Sequence, residues 1–299
     1  MSSTFFTASP QWRWLIIAYF FLGGLAAGSY VLATLMDIVG GRRDRRVIEL
    51  GYLVAFPLVC LCGLVLTVDL GRPERFWHML IQSETWRPMI KTYSPMSLGA
   101  WALLSFGGCA FVSFVAVLVE RGRIAWTPLR HLGPRAVPGR LVTLIGTLLG
   151  FYVAGYTGVL LAVTNRPMWA DTTLLGVTFL ISAASTSAAL LILLASWRGA
   201  SSDGIDGLER FDSSMLVLEA LVIAALIASL GRVATVWANG WGLLLAVMVL
   251  GGIVLPLYMR RRTVRGPALR PRFALAPALV LLGGLILRAV IILSADRIT

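Results

Sequence analysis

Two ionisable residues sit where the sequence otherwise offers only hydrocarbon. Glu219 lies inside the apolar run 213–230, and Arg288 lies inside the run 273–295. A charge held in such a setting is costly unless it faces a polar partner or water, so both are candidates for proton transfer. The long arginine stem could also carry its charge to an interface. Counted along a helix, Glu219 is about 12 Å from one end of its run, and Arg288 is about 9 Å from the opposite end of its own. The two depths differ by roughly 10 Å, so no direct pair is expected. Two more polar residues share one end of the pattern. Asp69 closes the apolar run 47–68, Gly71 and Pro73 break the helix behind it, and Arg72 and Arg75 follow. Tyr156 stands about 12 Å inside the end of the run 141–164. That is too deep for an interfacial tyrosine, and a buried phenol needs a hydrogen-bond partner. A phenol and a carboxylate near one face can relay protons.

Other chemistries are excluded by what is missing. The chain has two histidines, His78 and His131, and both lie in connections. A membrane b-type haem needs paired axial histidines on facing helices, so no haem is expected. Cys60, Cys62 and Cys109 all fall inside apolar runs. They form no metal-ligand spacing, so neither an iron–sulfur cluster nor another metal is expected in this chain.

The elements that position these residues follow from composition. Of 299 residues, 58% are hydrophobic and 13% are charged. A water-soluble domain of this size would be about a quarter charged, because it needs a polar skin. A soluble enzyme, a disordered chain and a secreted disulfide scaffold are therefore excluded. Runs of about 20 apolar residues cross a bilayer as helices. Eight are expected: 14–39, 47–68, 96–119, 141–164, 172–197, 213–230, 241–259 and 273–295. They predict an all-α, polytopic membrane helical bundle, with residues 1–299 forming a single integral membrane domain. The uncharged stretch 1–11 lacks the basic region of a cleavable signal peptide.

The net charge is +12, and Lys91 is the only lysine. In a soluble protein this would suggest nucleic acid. In a membrane protein it reports orientation, with membrane lipid and no nucleic acid as the expected surroundings. With the N-terminus outside, the inner segments 40–46, 120–140, 198–212 and 260–272 carry seventeen arginines, against eight basic residues in the outer segments. Basic residues collect inside, so both termini are expected outside. Gly24 with Gly28, and Gly146 with Gly150, are small-residue pairs of the kind that let membrane helices touch.

Six stretches in order resemble the NrfD-like family, the membrane subunits of polysulfide reductase. They are residues 12–30 (WRWLIIAYFFLGGLAAGSY), 69–77 (DLGRPERFW), 94–103 (SPMSLGAWAL), 155–161 (GYTGVLL), 165–169 (NRPMW) and 283–288 (GGLILR). The resemblance runs over essentially the whole chain. It implies an NrfD-like fold and a quinone-reactive anchor without a redox cofactor of its own, set in a bacterial or archaeal cytoplasmic membrane. Menaquinone or ubiquinone would be its substrate. A four-cluster ferredoxin-like iron–sulfur subunit and a molybdopterin catalytic subunit would be its partners on the outer face. The family's quinone-pocket tyrosine falls on Tyr156. Polar residues of the first span also line that pocket in the family, which here carries over to Gln11 and Tyr19. Asp69 and Arg72 share the same half and complete the expected quinone-binding set.

Two other readings stand beside this one. A proton-coupled transporter would suit eight spans with an intramembrane acid and arginine, but it predicts inverted repeats and broken helices at mid-membrane. A structural anchor with no quinone chemistry of its own would leave Tyr156 and Asp69 without a role.

Overall fold

The computed structural model describes residues 14–39, 45–125, 136–164, 166–199, 202–263 and 274–295. In lipid a backbone must satisfy its polar groups internally, and a continuous apolar run does so by winding into a helix. The membrane-crossing helices are α1 (Trp14–Val39), α2 (Arg45–Asp69), α3 (Pro95–Glu120), α4 (Val137–Ala162), α6 (Leu175–Trp197), α7 (Ser202–Leu230) and α10 (Leu275–Ser294). One further crossing is composite, with α8 (Gly240–Met248) and α9 (Leu255–Thr263) joined by a π-helical turn, Val249–Val254. A short α5 (Pro167–Ala170) precedes α6. Among the described residues eight helical segments are long and apolar enough to cross a membrane. The chain is an all-α, multi-pass membrane protein.

The π turn has a local cause. Pro256 has no N–H to offer the carbonyl of Gly252, and a helix widens where a regular bond is lost. Pro277 causes no such break, because it sits in the first turn of α10, where N–H groups have no helical partner.

Two helices form the centre. α1 packs against α2, α4, α6 and α10, and α6 packs against α1, α4, α7 and α10. α1 is apolar all round, as a helix surrounded by protein can be. Its approach to α6 depends on Gly28. A Cβ there would stand 2.2 Å from Ser187 Oγ and 2.8 Å from the Ala183 carbonyl oxygen. Gly146 and Gly150 do the same for α4 on α1, against the Tyr30 ring and Val31 respectively. Both expected small-residue pairs therefore lie at helix contacts.

The helices alternate in direction and define two faces. On one face, Arg45 at the start of α2 bonds Glu49 and Glu120, and Arg121 bonds Glu49. Arg46 donates to the Gly199 carbonyl at 2.9 Å on the same face. Asp69 closes α2 on the opposite face, where a 3₁₀ segment, Pro73–Met79, follows Gly71 at φ 70°. Arg260 of α9 joins the first face by donating to the Glu209 carbonyl at 3.3 Å, and we call the two the Arg260 face and the Asp69 face.

The sixth span departs from its expected limits. It was expected from residue 213, yet α7 begins at Ser202. Its first turns are amphipathic. Leu208 is buried, and Ile205 and Phe211 pack beside it against α1, α2 and α6. Asp203, Asp206 and Glu209 break the apolar run without breaking the helix, because propensity and one buried face sustain it. Asp212, expected in a connection, is instead a fully buried helical residue.

Placing a side chain at Gly28 should force α1 and α6 apart, and overpacking of this kind costs about 1–3 kcal/mol. Gly28→Val should lower the thermal midpoint of the detergent-solubilised protein by several degrees. Gly207→Ala, whose new Cβ meets nothing within 4 Å, should leave the midpoint unchanged or raise it. Equal midpoints for Gly28→Val and wild type would show that this contact does not set the helix spacing.

Candidate functional site

The first four helices enclose a cavity of about 800 Å³ on the Asp69 side. Tyr19 and Phe20 of α1, Asp69 of α2, and Tyr156 of α4 line it. α3 supplies its remaining wall with Gly99, Leu103, Gly107 and Gly108. Met96, Leu104 and Phe111 also line it and are exposed apolar side chains. In a membrane those residues would meet acyl chains, so the cavity is open to lipid on that side.

Tyr156 is buried against α3, and its ring stacks on Tyr152 with centroids 5.7 Å apart. This position exists because residue 99 is glycine. A Cβ there would lie 2.1 to 2.5 Å from the Tyr156 ring and hydroxyl. Among the described residues the Tyr156 hydroxyl has no hydrogen-bond partner. Tyr19 of α1 lines the same cavity. A phenol so placed can donate to an oxygen atom of a ligand in the cavity.

The residues read from the sequence fall into two groups. Tyr156, Tyr19 and Asp69 all line the cavity. Gln11 lies outside the described residues. Arg72 was expected at the lip beside Asp69, but it faces a neighbouring basin of about 760 Å³ with Arg75 and His78. Leu70 and Met79 line both spaces and form the partition between them. The turn at Gly71 points the arginines away, because the chain leaves its helix there.

Glu219 and Arg288 form the second group, and the two make no direct ion pair. Arg288 Nη1 donates to Ser182 Oγ at 3.2 Å and to the Gly284 carbonyl at 2.8 Å. The arginine side chain thus bridges from its own helix α10 to α6. The guanidinium lies 5.6 Å from the centre of the Phe21 ring and 5.4 Å from that of Phe179, a cation–π sandwich. Gly24 and Gly284 make room for it, with Cβ positions 3.0 and 3.4 Å from its nitrogens. Both ionisable groups are almost wholly buried. Glu219 Oε1 and Arg288 Nε have no hydrogen-bond partner in the structure.

Gly99, Ser182, Ser185 and Asp212 were not singled out from the sequence. Gly99 carries no chemical signal, since its role is to be small. Asp212 and Glu219 did carry one: seven residues apart, they fall on one face of a helix. Among the described residues, no three His, Cys, Asp or Glu side chains gather to hold a metal ion.

The chain matches the family described as "Polysulphide reductase, NrfD" over residues 2–298. The C component of polysulfide reductase from Wolinella succinogenes is 28% identical, across 96% of this chain and 94% of that protein. Protein NrfD of Escherichia coli is 28% identical over 64% of this chain and 62% of its own length. The C component of selenate reductase from Mesobacillus selenatarsenatis is 33% identical over a shorter stretch, 27% of this chain and 19% of its own.

The cavity can be filled without disturbing its walls. A Cβ at Gly108 meets nothing within 4 Å, although Gly108 lines the cavity. Gly108→Phe should leave the thermal midpoint within a degree or two, yet cut the binding of a hydrophobic fluorescent probe at this site at least tenfold. Unchanged probe binding would place the probe elsewhere.

Proposed function

We propose, because the chain belongs to the NrfD polysulphide reductase family, that it is the membrane subunit of a reductase complex and exchanges electrons there with a quinone or quinol. The observation that carries this reading is the lipid-accessible cavity with an unpartnered phenol, Tyr156, on its wall. Quinones are long apolar molecules with two carbonyl oxygens, and they reach a protein through the bilayer. An 800 Å³ cavity is within the range of about 300–1,000 Å³ that small-molecule sites occupy. Two relatives are named as the C component of a reductase, which supports a subunit that works with catalytic partners.

Reduction of the quinone takes two electrons and two protons, and oxidation of the quinol returns them. On this reading Tyr156 donates a hydrogen bond to one carbonyl oxygen and so holds the head group. Tyr19 offers a second phenol in the same space. Asp69 sits at the edge of the cavity, where it can exchange protons with the water of the Asp69 face. The bilayer-facing residues Leu104 and Phe111 admit the apolar body. Electrons would pass to or from a ferredoxin-like iron–sulfur subunit docked on that face, with a molybdopterin subunit beyond it. We propose further that the Asp69 face is the outer face of a bacterial or archaeal cytoplasmic membrane, as the arginine count indicates. Glu219 and Arg288 handle protons in this reading and do not touch the quinone.

Removing one buried hydrogen bond costs about 1–3 kcal/mol. Tyr156→Phe should therefore weaken quinone binding or slow quinone-dependent turnover by roughly 5- to 100-fold while the complex still assembles. Gly99→Ala should act in the same direction by displacing the Tyr156 ring. Quinone affinity and turnover equal to wild type in both variants would put the site elsewhere.

A further inference from the structure

We infer that the part of the cavity between α2 and α3 is a bed for the polyprenyl tail of the quinone, which lies lengthwise towards the middle of the membrane instead of leaving sideways into lipid. The inference rests on the proposed quinone site and adds to it the substrate class, quinones with a tail of about four isoprene units or more.

The cavity runs deeper than a head group needs. α1 lines it no further from the Asp69 face than Phe20, and α4 no further than Tyr156. α2 and α3 continue alone, to Phe56 and Phe111. At the helical rise, Asp69 to Phe56 spans about 20 Å, and Gly99 to Phe111 about 18 Å. The α3 lining residues Gly99, Leu103, Gly107 and Phe111 recur every four residues, which makes one continuous stripe on a helix.

This groove has a closed floor and one open side. Phe56 of α2 packs on Phe111 and Phe114 of α3, with ring centres 5.2 and 5.3 Å apart. Nearer the Arg260 face, Arg45 pairs with Glu120 at 2.9 Å and Arg121 with Glu49 at 2.7 Å, so α2 and α3 are tied together there. Towards the Asp69 face the cavity stands between them. Leu104 and Phe111 are exposed along the lipid side, so a chain can be laid into the groove from the bilayer without being threaded. Small residues in membrane helices usually bring backbones together. Gly63 and Gly108 do not, since a Cβ at either would meet nothing within 4 Å, although both line the cavity. They widen the groove.

What fills the groove follows from tethering. Lipid is as apolar as a quinone tail, so the tail gains no hydrophobic free energy by entering. It gains contact with the walls and loses chain freedom. A free acyl chain bears that loss and the cost of its own capture. A tail whose head group is already held at Tyr156 is present at high effective concentration, and the groove begins where the head group ends. Three backbone bonds of an extended chain span about 3.5 Å, so an isoprene unit, with four, spans about 5 Å. The stretch from Gly99 to Phe111 therefore holds about four units. The Phe56–Phe111 pair sets that limit, and further units turn out into lipid.

The test uses the full chain within its complex in liposomes, with quinones of one, two and four isoprene units that carry a photoreactive diazirine on the last unit. Mass spectrometry of the labelled peptides should place the label near Leu103 for one unit and at Phe56 or Phe111 for four, a shift of about three residues of α3 per unit. Gly108→Phe should cut the four-unit label at Phe111 at least tenfold per quinone bound and move it to Leu104 or nearer the Asp69 face. Label at one depth for all three tails would overturn the inference, as would label found only on lipid. So would a phospholipid with the diazirine at the end of its acyl chain that labels Phe111 equally with and without saturating quinone, because the groove then belongs to lipid. In those cases weaker binding of a tailless quinone to Tyr156→Phe shows the head-group site intact. Binding of the tailless quinone that is unaltered in both Tyr156→Phe and Gly99→Ala would instead remove the quinone site itself.

Discussion

Lipid offers no hydrogen bonds, and the rest of this structure follows from that. A polar group inside the bilayer must find a partner in the protein or remain unsatisfied at a cost of several kcal/mol. Most of the buried polar residues obey. Tyr30 bonds Ser113 at 2.8 Å, Thr34 bonds Tyr52 at 3.1 Å, and Trp237 reaches Ser294 at 3.0 Å. Each such bond ties one helix to another, so satisfying the polar groups also fixes the bundle. Against this background the exceptions become informative. Glu219 Oε1, Arg288 Nε and Ser29 Oγ are buried without a hydrogen-bond partner. The Tyr156 hydroxyl also makes no bond among the described residues, and it belongs to the cavity wall.

Small residues serve chemistry as well as packing. Gly28 lets α1 and α6 touch and is structural. Gly99 lets a tyrosine ring lie across α3 and so aims its hydroxyl. Gly24 and Gly284 open a slot that an arginine occupies between two phenylalanines. In each case the absence of a Cβ determines where a polar atom can be. The pattern of glycines therefore shapes the site as directly as the functional groups do.

The bundle was legible in the sequence because its signal is additive: an apolar run of sufficient length crosses a bilayer whatever its neighbours do. The start of α7 was not, because its first three turns are amphipathic and carry four acids, which a hydropathy count treats as a loop. That misreading hid Asp212. Tyr156 and Asp69 could be placed near one another, since helix direction and depth suffice for that, whereas Tyr19 came only through the family resemblance. Arg72 could not, because one turn at Gly71 decides which of two adjoining spaces its side chain enters. The reach of Arg288 to Ser182 of α6 was missed for a different reason. Depth along a helix axis locates a Cα, and an arginine carries its charge several ångströms away from it.

α1 lies between the cavity and the buried charges. Successive residues on a helix diverge by about 100°. Tyr19 and Phe20 therefore face the cavity, while Phe21 and Gly24 face Arg288. One helix, apolar on every side, is the common wall of both. Between them lies an aromatic layer in which Phe20 of the cavity wall packs edge-on to Phe179, the ring beside Arg288, with centres 6.1 Å apart. A layer of rings carries no hydrogen-bonding group, so it keeps the cavity and the buried charges apart while both share the packing of α1.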